Sequence, residues 1–298
     1  MTSQQLSTHP RTMASRRRFL QTASAVVAGG VMSRAGFAHA ASEMKPVAEP
    51  ESKTLASRLG VASYSFRKFN LDQTIAMTKR LRMKYLCLKS FHLPLDAKPE
   101  VLRAAAERIK KEGLVFDCGG TITMANQAQI DEAFEYAKHA GLKIMVIAPT
   151  AKMLPAIERK VVEYDIAVGI HNHGPGDKHF PTPGSAYDKI KNLDPRVGLC
   201  VDVGHTVRYG DDPYAAIETC ADRVYDFHLK DVTSATAKGT TTILGRGVID
   251  MPRLFATLKR INYSGVLSLE YESEANDPLP SIAESAGYAR GMLAAMDA

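Results

Sequence analysis

The 298-residue chain is 45% apolar and 23% charged, an ordinary globular balance with apolar material for one large α/β barrel or two smaller domains. Its net charge of +6 misleads, because residues 1–41 hold five arginines (Arg11, Arg16, Arg17, Arg18 and Arg34) and no acidic residue. Without those, 33 basic residues face 32 acidic ones, and a remainder of +1 speaks against a nucleic-acid or anionic-membrane binder.

The first 41 residues read as an export signal. Ser15-Arg16-Arg17-Arg18-Phe19-Leu20-Gln21 has the twin-arginine pattern, Thr22–Met32 is apolar and rich in small residues, and Ala38-His39-Ala40 has the form of a cleavage site. The stretch is too short for a spanning helix of about 20 residues. The expectation is passage through the twin-arginine export machinery, cleavage after Ala40, and a periplasmic mature chain without a membrane span. Residues 42–57, with Pro46, Pro50 and several charges, read as a solvated linker, which leaves 58–298 for the folded domain.

Beyond residue 57, short apolar runs alternate with amphipathic ones. Strands are expected at Gly60–Ser65, Tyr85–Lys89, Leu114–Cys118, Lys143–Ala148, Ile166–His171, Val197–Asp202, Val224–Leu229 and Val266–Tyr271. Helices are expected at Leu71–Arg82, Pro99–Glu112, Gln127–Ala140, Leu154–Tyr164, Gly184–Asn192, Asp212–Ala221, Met251–Ile261 and Ser281–Met296. Asn70 stands where an N-cap belongs, Gly113 and Gly141 stand where helices stop, and Lys230–Val248 reads as a long loop. Eight strands alternating with helices give an α/β chain of the (β/α)₈ TIM-barrel class. An open doubly wound sheet is disfavoured, since no G-x-G-x-x-G follows the first strand. Cys87, Cys118, Cys200 and Cys220 lack zinc-finger or C-x-x-C spacing. Buried reduced thiols are the favoured reading, with a Cys87–Cys118 bridge left open.

In this fold the chemistry belongs at the C-terminal strand ends. The fifth strand ends in His171-Asn172-His173-Gly174, the sixth in Asp202-Val203-Gly204-His205, the seventh in His228-Leu229-Lys230-Asp231 and the eighth in Glu270-Tyr271-Glu272. A lone histidine there is usually a rim residue, and a lone aspartate often caps the next helix. Imidazole and carboxylate groups in register on four successive strands instead suit one divalent ion. Mixed N/O ligands favour Mn²⁺, Co²⁺, Fe²⁺ or Zn²⁺, with Mg²⁺ also admitted.

The runs LCVDVGH, FHLKD, GRGVID and LSLEYE, in this order and spacing, resemble the sugar phosphate isomerase/epimerase family of xylose isomerase-like barrels, over about residues 58–296. The resemblance implies that Asp202, His228 and Glu270 are metal ligands and that His205 contacts substrate. It also implies a first ligand after the fifth strand, where relatives read Glu-Asn-His and this chain reads His171-Asn172-His173. His171 is therefore the expected fourth ligand, and His173 the fallback and otherwise a substrate contact. Epimerases of this kind use two glutamates, one on each face of the inverted carbon, so one carboxylate base, Glu270, is expected here.

The implied chemistry is proton abstraction beside a carbonyl, through an enediolate. Lys89 and Lys230, at the ends of the second and seventh strands, are candidates to stabilise that anion or to protonate a leaving group. Arg246, in Gly245-Arg246-Gly247, and His92 are candidate substrate contacts. A small sugar or glycoside is the expected substrate, and a sugar isomerase or epimerase the first reading. The second is a lyase on 3-keto glycosides, where removing the C2 proton expels the C1 group with one base and one acid. A phosphodiesterase of the apurinic endonuclease kind lacks its basic surface here, and a non-catalytic sugar-binding module would turn nothing over.

Overall fold

Eight parallel strands close into a barrel in the order β1-β10-β7-β6-β5-β4-β3-β2 in a computed structural model of the chain, which describes residues 54–298. The expected twin-arginine signal, and the expected linker as far as residue 53, lie outside the described residues. In chain order the first half comprises β1 (Leu59–Ala62), α1 (Leu71–Arg80), β2 (Tyr85–Leu88), α2 (Pro99–Lys111), β3 (Val115–Met124), α3 (Gln127–Ala140), β4 (Ile144–Pro149) and α4 (Leu154–Tyr164). The second comprises β5 (Ala167–His171), α5 (Pro183–Ile190), β6 (Val197–Asp202), α6 (Val203–Tyr209), α7 (Pro213–Thr219) and β7 (Val224–Leu229). A short antiparallel pair follows, β8 (Asp231–Val232) with β9 (Thr241–Thr242), then α8 (Met251–Arg260), β10 (Val266–Leu269) and α9 (Leu279–Asp297). Among the described residues no helix is long and apolar enough to cross a membrane.

Local chemistry sets the boundaries. The Asn70 side chain accepts from the Gln73 N–H at 2.9 Å while Gln73 Oε1 accepts from the Asn70 N–H at 3.0 Å, a reciprocal cap that starts α1. Gly141, with φ of +74°, ends α3 in the left-handed conformation that glycine adopts without steric cost. Strand β6 is buried along its whole length, as expected of a strand covered on both faces.

Four differences from the sequence reading have physical causes. The expected linker boundary at 57 is too late: Leu55–Arg58 form a 3₁₀ turn, and Leu55 is buried in the core. Strand β3 runs on to Met124 rather than stopping at Cys118, continuing past Gly119-Gly120-Thr121 across an irregularity in its register with β4. Helix α6 is an addition: Asp202 ends β6 and caps α6 at once, its Oδ1 accepting from the His205 N–H at 2.7 Å. The long loop is organised by the Asp231 carboxylate, which accepts from the N–H groups of Val232, Gly245, Gly247 and Ile249 at 2.9–3.2 Å. A Cβ on Gly247 would lie 2.1 Å from Asp231 Oδ1, so the second glycine of GRG makes room for this carboxylate. The four cysteines are buried and free, so the bridge left open between Cys87 and Cys118 does not form.

Candidate metal centre

Alternation along a strand stacks residues two apart on one side, so the barrel axis can be read as layers. Asp226, His228 and Lys230 rise along β7; Cys200 and Asp202 end β6; Ser268, Glu270 and Glu272 follow β10. At the top of these columns His171, Asp202, His228 and Glu270 converge. One ligand-type atom from each lies within 4.8 Å of the others, and all four residues are buried. His171 Nε2 is 3.0 Å from His228 Nδ1 and 3.5 Å from Asp202 Oδ2, and His228 Nδ1 is 3.1 Å from Glu270 Oε2.

The surrounding bonds hold these side chains rigidly. Asn172 Oδ1 accepts from the Asp202 N–H at 2.9 Å, and its Nδ2 donates to the Asp202 carbonyl and to Thr206 Oγ1, both at 3.1 Å. This amide ties the end of β5 to the end of β6. His205, on the first turn of α6, brings Nε2 to 3.9 Å from Asp202 Oδ2, and its ring centroid is 5.8 Å from that of His171. His173 lies further out at 39% exposure, with Nδ1 3.4 Å from Asp177 Oδ2 and its ring 4.5 Å from that of His171. The inner set thus contains His171, with His173 at the mouth.

Lys230 is the strongest charge in the site. Only 2% exposed, it sets Nζ 2.9 Å from Asp202 Oδ2, 2.9 Å from Glu270 Oε2 and 2.7 Å from Glu272 Oε1. Gly204 is required beside it, since a Cβ there would meet the lysine stem at 2.7 Å. Burial opposes the Lys230 charge, but Asp202, Glu270 and Glu272 together hold its pKa well above the ordinary lysine value. Burial likewise opposes charge on Asp202 and Glu270. His205 and Lys230 nonetheless hold Asp202, and Lys230 and His228 hold Glu270, well below the usual carboxylate range. Burial pushes His171 well below its ordinary value, so its imidazole is neutral.

The donor set fits a divalent ion. His171 is neutral and Asp202 and Glu270 are ionised, the states that coordinate, whereas against its burial Cys200 and Glu270 hold His228 well above the ordinary histidine value, so it would release a proton on binding an ion. His171 Nδ1 is buried without a hydrogen-bond partner, while Asp202 Oδ2 faces the Lys230 ammonium and the His171 and His205 imidazoles. Lys230 neutralises two of the same carboxylates, and Glu272, at 34% side-chain exposure, offers it a third oxygen beyond the four-residue set. The sequence reading gave Glu272 no role; the two-residue step from Glu270 was the signal that pairs them.

Lys89 stands at the mouth on the opposite wall, its Nζ donating to the Thr121 carbonyl at 3.3 Å and lying 5.6 Å from the Tyr64 ring centroid. Two expected substrate contacts have their polar groups engaged elsewhere in the fold. His92 is 6% exposed, and its ring nitrogens meet Ser63 Oγ at 2.9 Å, Thr74 Oγ1 at 3.1 Å and the Phe69 carbonyl at 3.0 Å; it pins the β1–α1 connection. Arg246 turns away from the barrel axis to pair with Glu284 of α9 at 2.6 Å and is 61% exposed, because the glycines beside it wrap their N–H groups onto Asp231.

Comparisons with known proteins agree with this architecture. Residues 66–292 match the family described as the xylose isomerase-like TIM barrel. L-ribulose-5-phosphate 3-epimerase UlaE of Escherichia coli is 25% identical over 224 residues, covering 72% of this chain and 73% of its own. The IolI protein, solved with a bound zinc atom, superposes with a TM-score of 0.69 at 16% identity, over 80% of this chain and 98% of its own. The 3-keto-D-glucoside 4-epimerase YcjR of E. coli superposes with a TM-score of 0.65 at 18% identity, over 78% and 99%.

Proposed function

The chain belongs to the xylose isomerase-like TIM barrel family, and from that premise we propose that it is a divalent-metal-dependent sugar isomerase or epimerase that removes a proton beside a carbonyl. The observation that carries this reading is the buried convergence of His171, Asp202, His228 and Glu270 at the barrel mouth, with the Lys230 ammonium against two of them. The epimerase relatives named above support the reaction class.

A divalent ion held by these four residues supplies Lewis-acid polarisation of a carbonyl and a neighbouring hydroxyl. Glu270, ionised at neutral pH, is positioned to accept the proton from the adjacent carbon. Against its burial, the carboxylates of Asp202, Glu270 and Glu272 hold Lys230 in its charged form. It therefore acts as a fixed electrostatic partner for the enediolate oxygen rather than as an acid for a leaving group. His205 and His173, on the wall beside His171, are placed to hold hydroxyls, and Lys89 faces them from β2.

A second reading, a lyase on 3-keto glycosides, is favoured by one observation: a neutral histidine, His171, stands where the epimerase pattern has its other glutamate. One base then suffices, with the proton for the departing group supplied by His173 or Lys89 at the mouth. Export through the twin-arginine pathway into the periplasm, as the first 41 residues propose, would bring glycosides rather than sugar phosphates to the enzyme. Incubation of the metal-loaded protein in D₂O with ketopentoses, ketohexoses and a 3-keto glycoside decides the matter. Deuterium beside the carbonyl with an isomeric sugar supports the first reading, and free aglycone the second. No exchange and no product with any of them would sink both.

A further inference from the structure

Directly beneath the four-residue cluster, toward the N-terminal ends of the strands, the barrel is filled unusually. This fold commonly packs its interior with branched aliphatic side chains. Here the layer holds Cys87 of β2, Cys118 of β3, Cys200 of β6, Asp226 of β7 and Ser268 of β10, each at most 1% exposed. Cys87 and Cys118 face each other across β2 and β3, and Cys200 and Asp226 across β6 and β7.

The β2–β3 register breaks at this level. Leu86 pairs with Phe116 and Cys87 with Cys118, so Asp117 is the extra residue of a bulge, the device by which a strand re-aims a side chain. As a result Asp117, Cys118 and Asp226 each bring one ligand-type atom within 4.8 Å of the others.

Two carboxylates of this group share the floor with little basic charge directly against them. Asp226 Oδ2 accepts from the Cys200 thiol at 3.3 Å, while Asp226 Oδ1 is buried without any hydrogen-bond partner. The basic nitrogen facing Asp226 is His228 Nε2, 3.8 Å away, whose ring also meets the Cys87 and Cys200 thiols. Arg58 acts on Asp117 from the rim, yet burial first and Asp226 second still push the Asp117 carboxyl up to about 7. The unpartnered, buried Asp226 oxygen is a group that a bound cation would satisfy.

We propose that Asp117, Cys118 and Asp226 form a second cation site on the barrel floor, for a borderline divalent ion such as Zn²⁺ or Co²⁺. A thiolate with two carboxylates selects such ions over Mg²⁺ and Ca²⁺, and three protein ligands leave a fourth position open. Asp117 is only partly buried and lies near the start of β3, so the ion enters from the end of the barrel opposite the mouth. The proposal is independent of which sugar reaction the upper site performs.

The test uses the full chain, stripped with chelator and dialysed against Co²⁺, with metal counted by plasma mass spectrometry and absorption read in the near ultraviolet. The wild type is expected to hold two equivalents of cobalt and to show a sulfur-to-cobalt charge-transfer band. Cys118→Ser is expected to lose the band and one equivalent. Asp202→Asn is expected to lose one equivalent and keep the band, and Cys200→Ser to keep both. A single equivalent in the wild type, no band, or a band that survives Cys118→Ser or disappears with Cys200→Ser overturns the proposal. Should Cys118→Ser fail to fold, Asp117→Asn, at the partly exposed position, carries the same count, and retention of both equivalents there is equally fatal.

Discussion

Strands β5, β6, β7 and β10 end at or next to His171, Asp202, His228 and Glu270, whereas β1, β2, β3 and β4 end at Ala62, Leu88, Met124 and Pro149. Both halves follow one architectural rule, yet one carries ionisable ligands at the mouth and the other is apolar where its strands stop. Polar residues of the first half, such as Ser63, Thr74 and His92, are spent on one another and on backbone carbonyls. Those of the second half crowd around one lysine: Asp202, Glu270 and Glu272 share Lys230, and His171 Nδ1 is buried without a hydrogen-bond partner. Satisfied polar groups stiffen a fold, and unsatisfied ones at a rim are where a ligand gains by binding. On this comparison the proposed chemistry belongs to the second half, and the first half packs the opposite wall.

Substitutions can break that division. The largest effect is expected from Glu270→Gln, which keeps the shape and removes the base. Turnover should fall by about 10²- to 10⁴-fold with the circular dichroism spectrum unchanged, and activity within a few-fold of wild type would remove Glu270 from the mechanism. Next comes Lys230→Met. Loss of the ammonium beside the enediolate should lower turnover by about 10²-fold. The same change should tighten divalent-ion binding in calorimetry, because a competing cation 2.9 Å from Asp202 and Glu270 is gone. Weaker ion binding in that variant would mean that Lys230 organises the ligands rather than competing for them.

In the first half, His92→Ala should cost about 1–3 kcal/mol of stability in urea unfolding, from the buried partners left behind, while kcat stays near wild type. A selective rise in KM without a stability loss would return His92 to the list of substrate contacts. The smallest effect belongs to Asp194, whose carboxylate takes three N–H bonds from Arg196 at 2.9 Å. The Arg196 guanidinium and backbone N–H push its carboxyl down to about 2. A lowered folded-state value stabilises the fold above the unfolded value of about 3.9, and that contribution disappears as pH falls through 2. Asp194→Asn should therefore cost under ~1 kcal/mol at pH 7, since the pair is solvent-screened, and nothing near pH 2. A pH-independent difference would show that packing, not charge, is lost.

Much of this organisation is legible in the residues. The bounds of β6, β7, α3 and α4 coincide with the sequence reading, because each is a strongly patterned run closed by a clear stop. The columns over β7 and β10 are legible as well, since Asp226-x-His228-x-Lys230 and Glu270-x-Glu272 keep the two-residue step of a strand. Helix α6 was hidden because a seven-residue helix has too few turns to display a period. The continuation of β3 to Met124 was hidden because Gly119-Gly120 resembles a turn, and only the partner strands fix the register. Arg246 misled for a related reason. Its glycine neighbours look like a binding loop, but their N–H groups serve Asp231, a partner 14 residues or more earlier in the chain.

The most direct test of the account is the anomalous difference map of a crystal grown with Mn²⁺. The account predicts a peak at the barrel mouth bounded by His171, Asp202, His228 and Glu270, with Lys230 moved onto Glu272. A mouth peak coordinated by Glu272 in place of His171, or no mouth peak at saturating Mn²⁺, would contradict it.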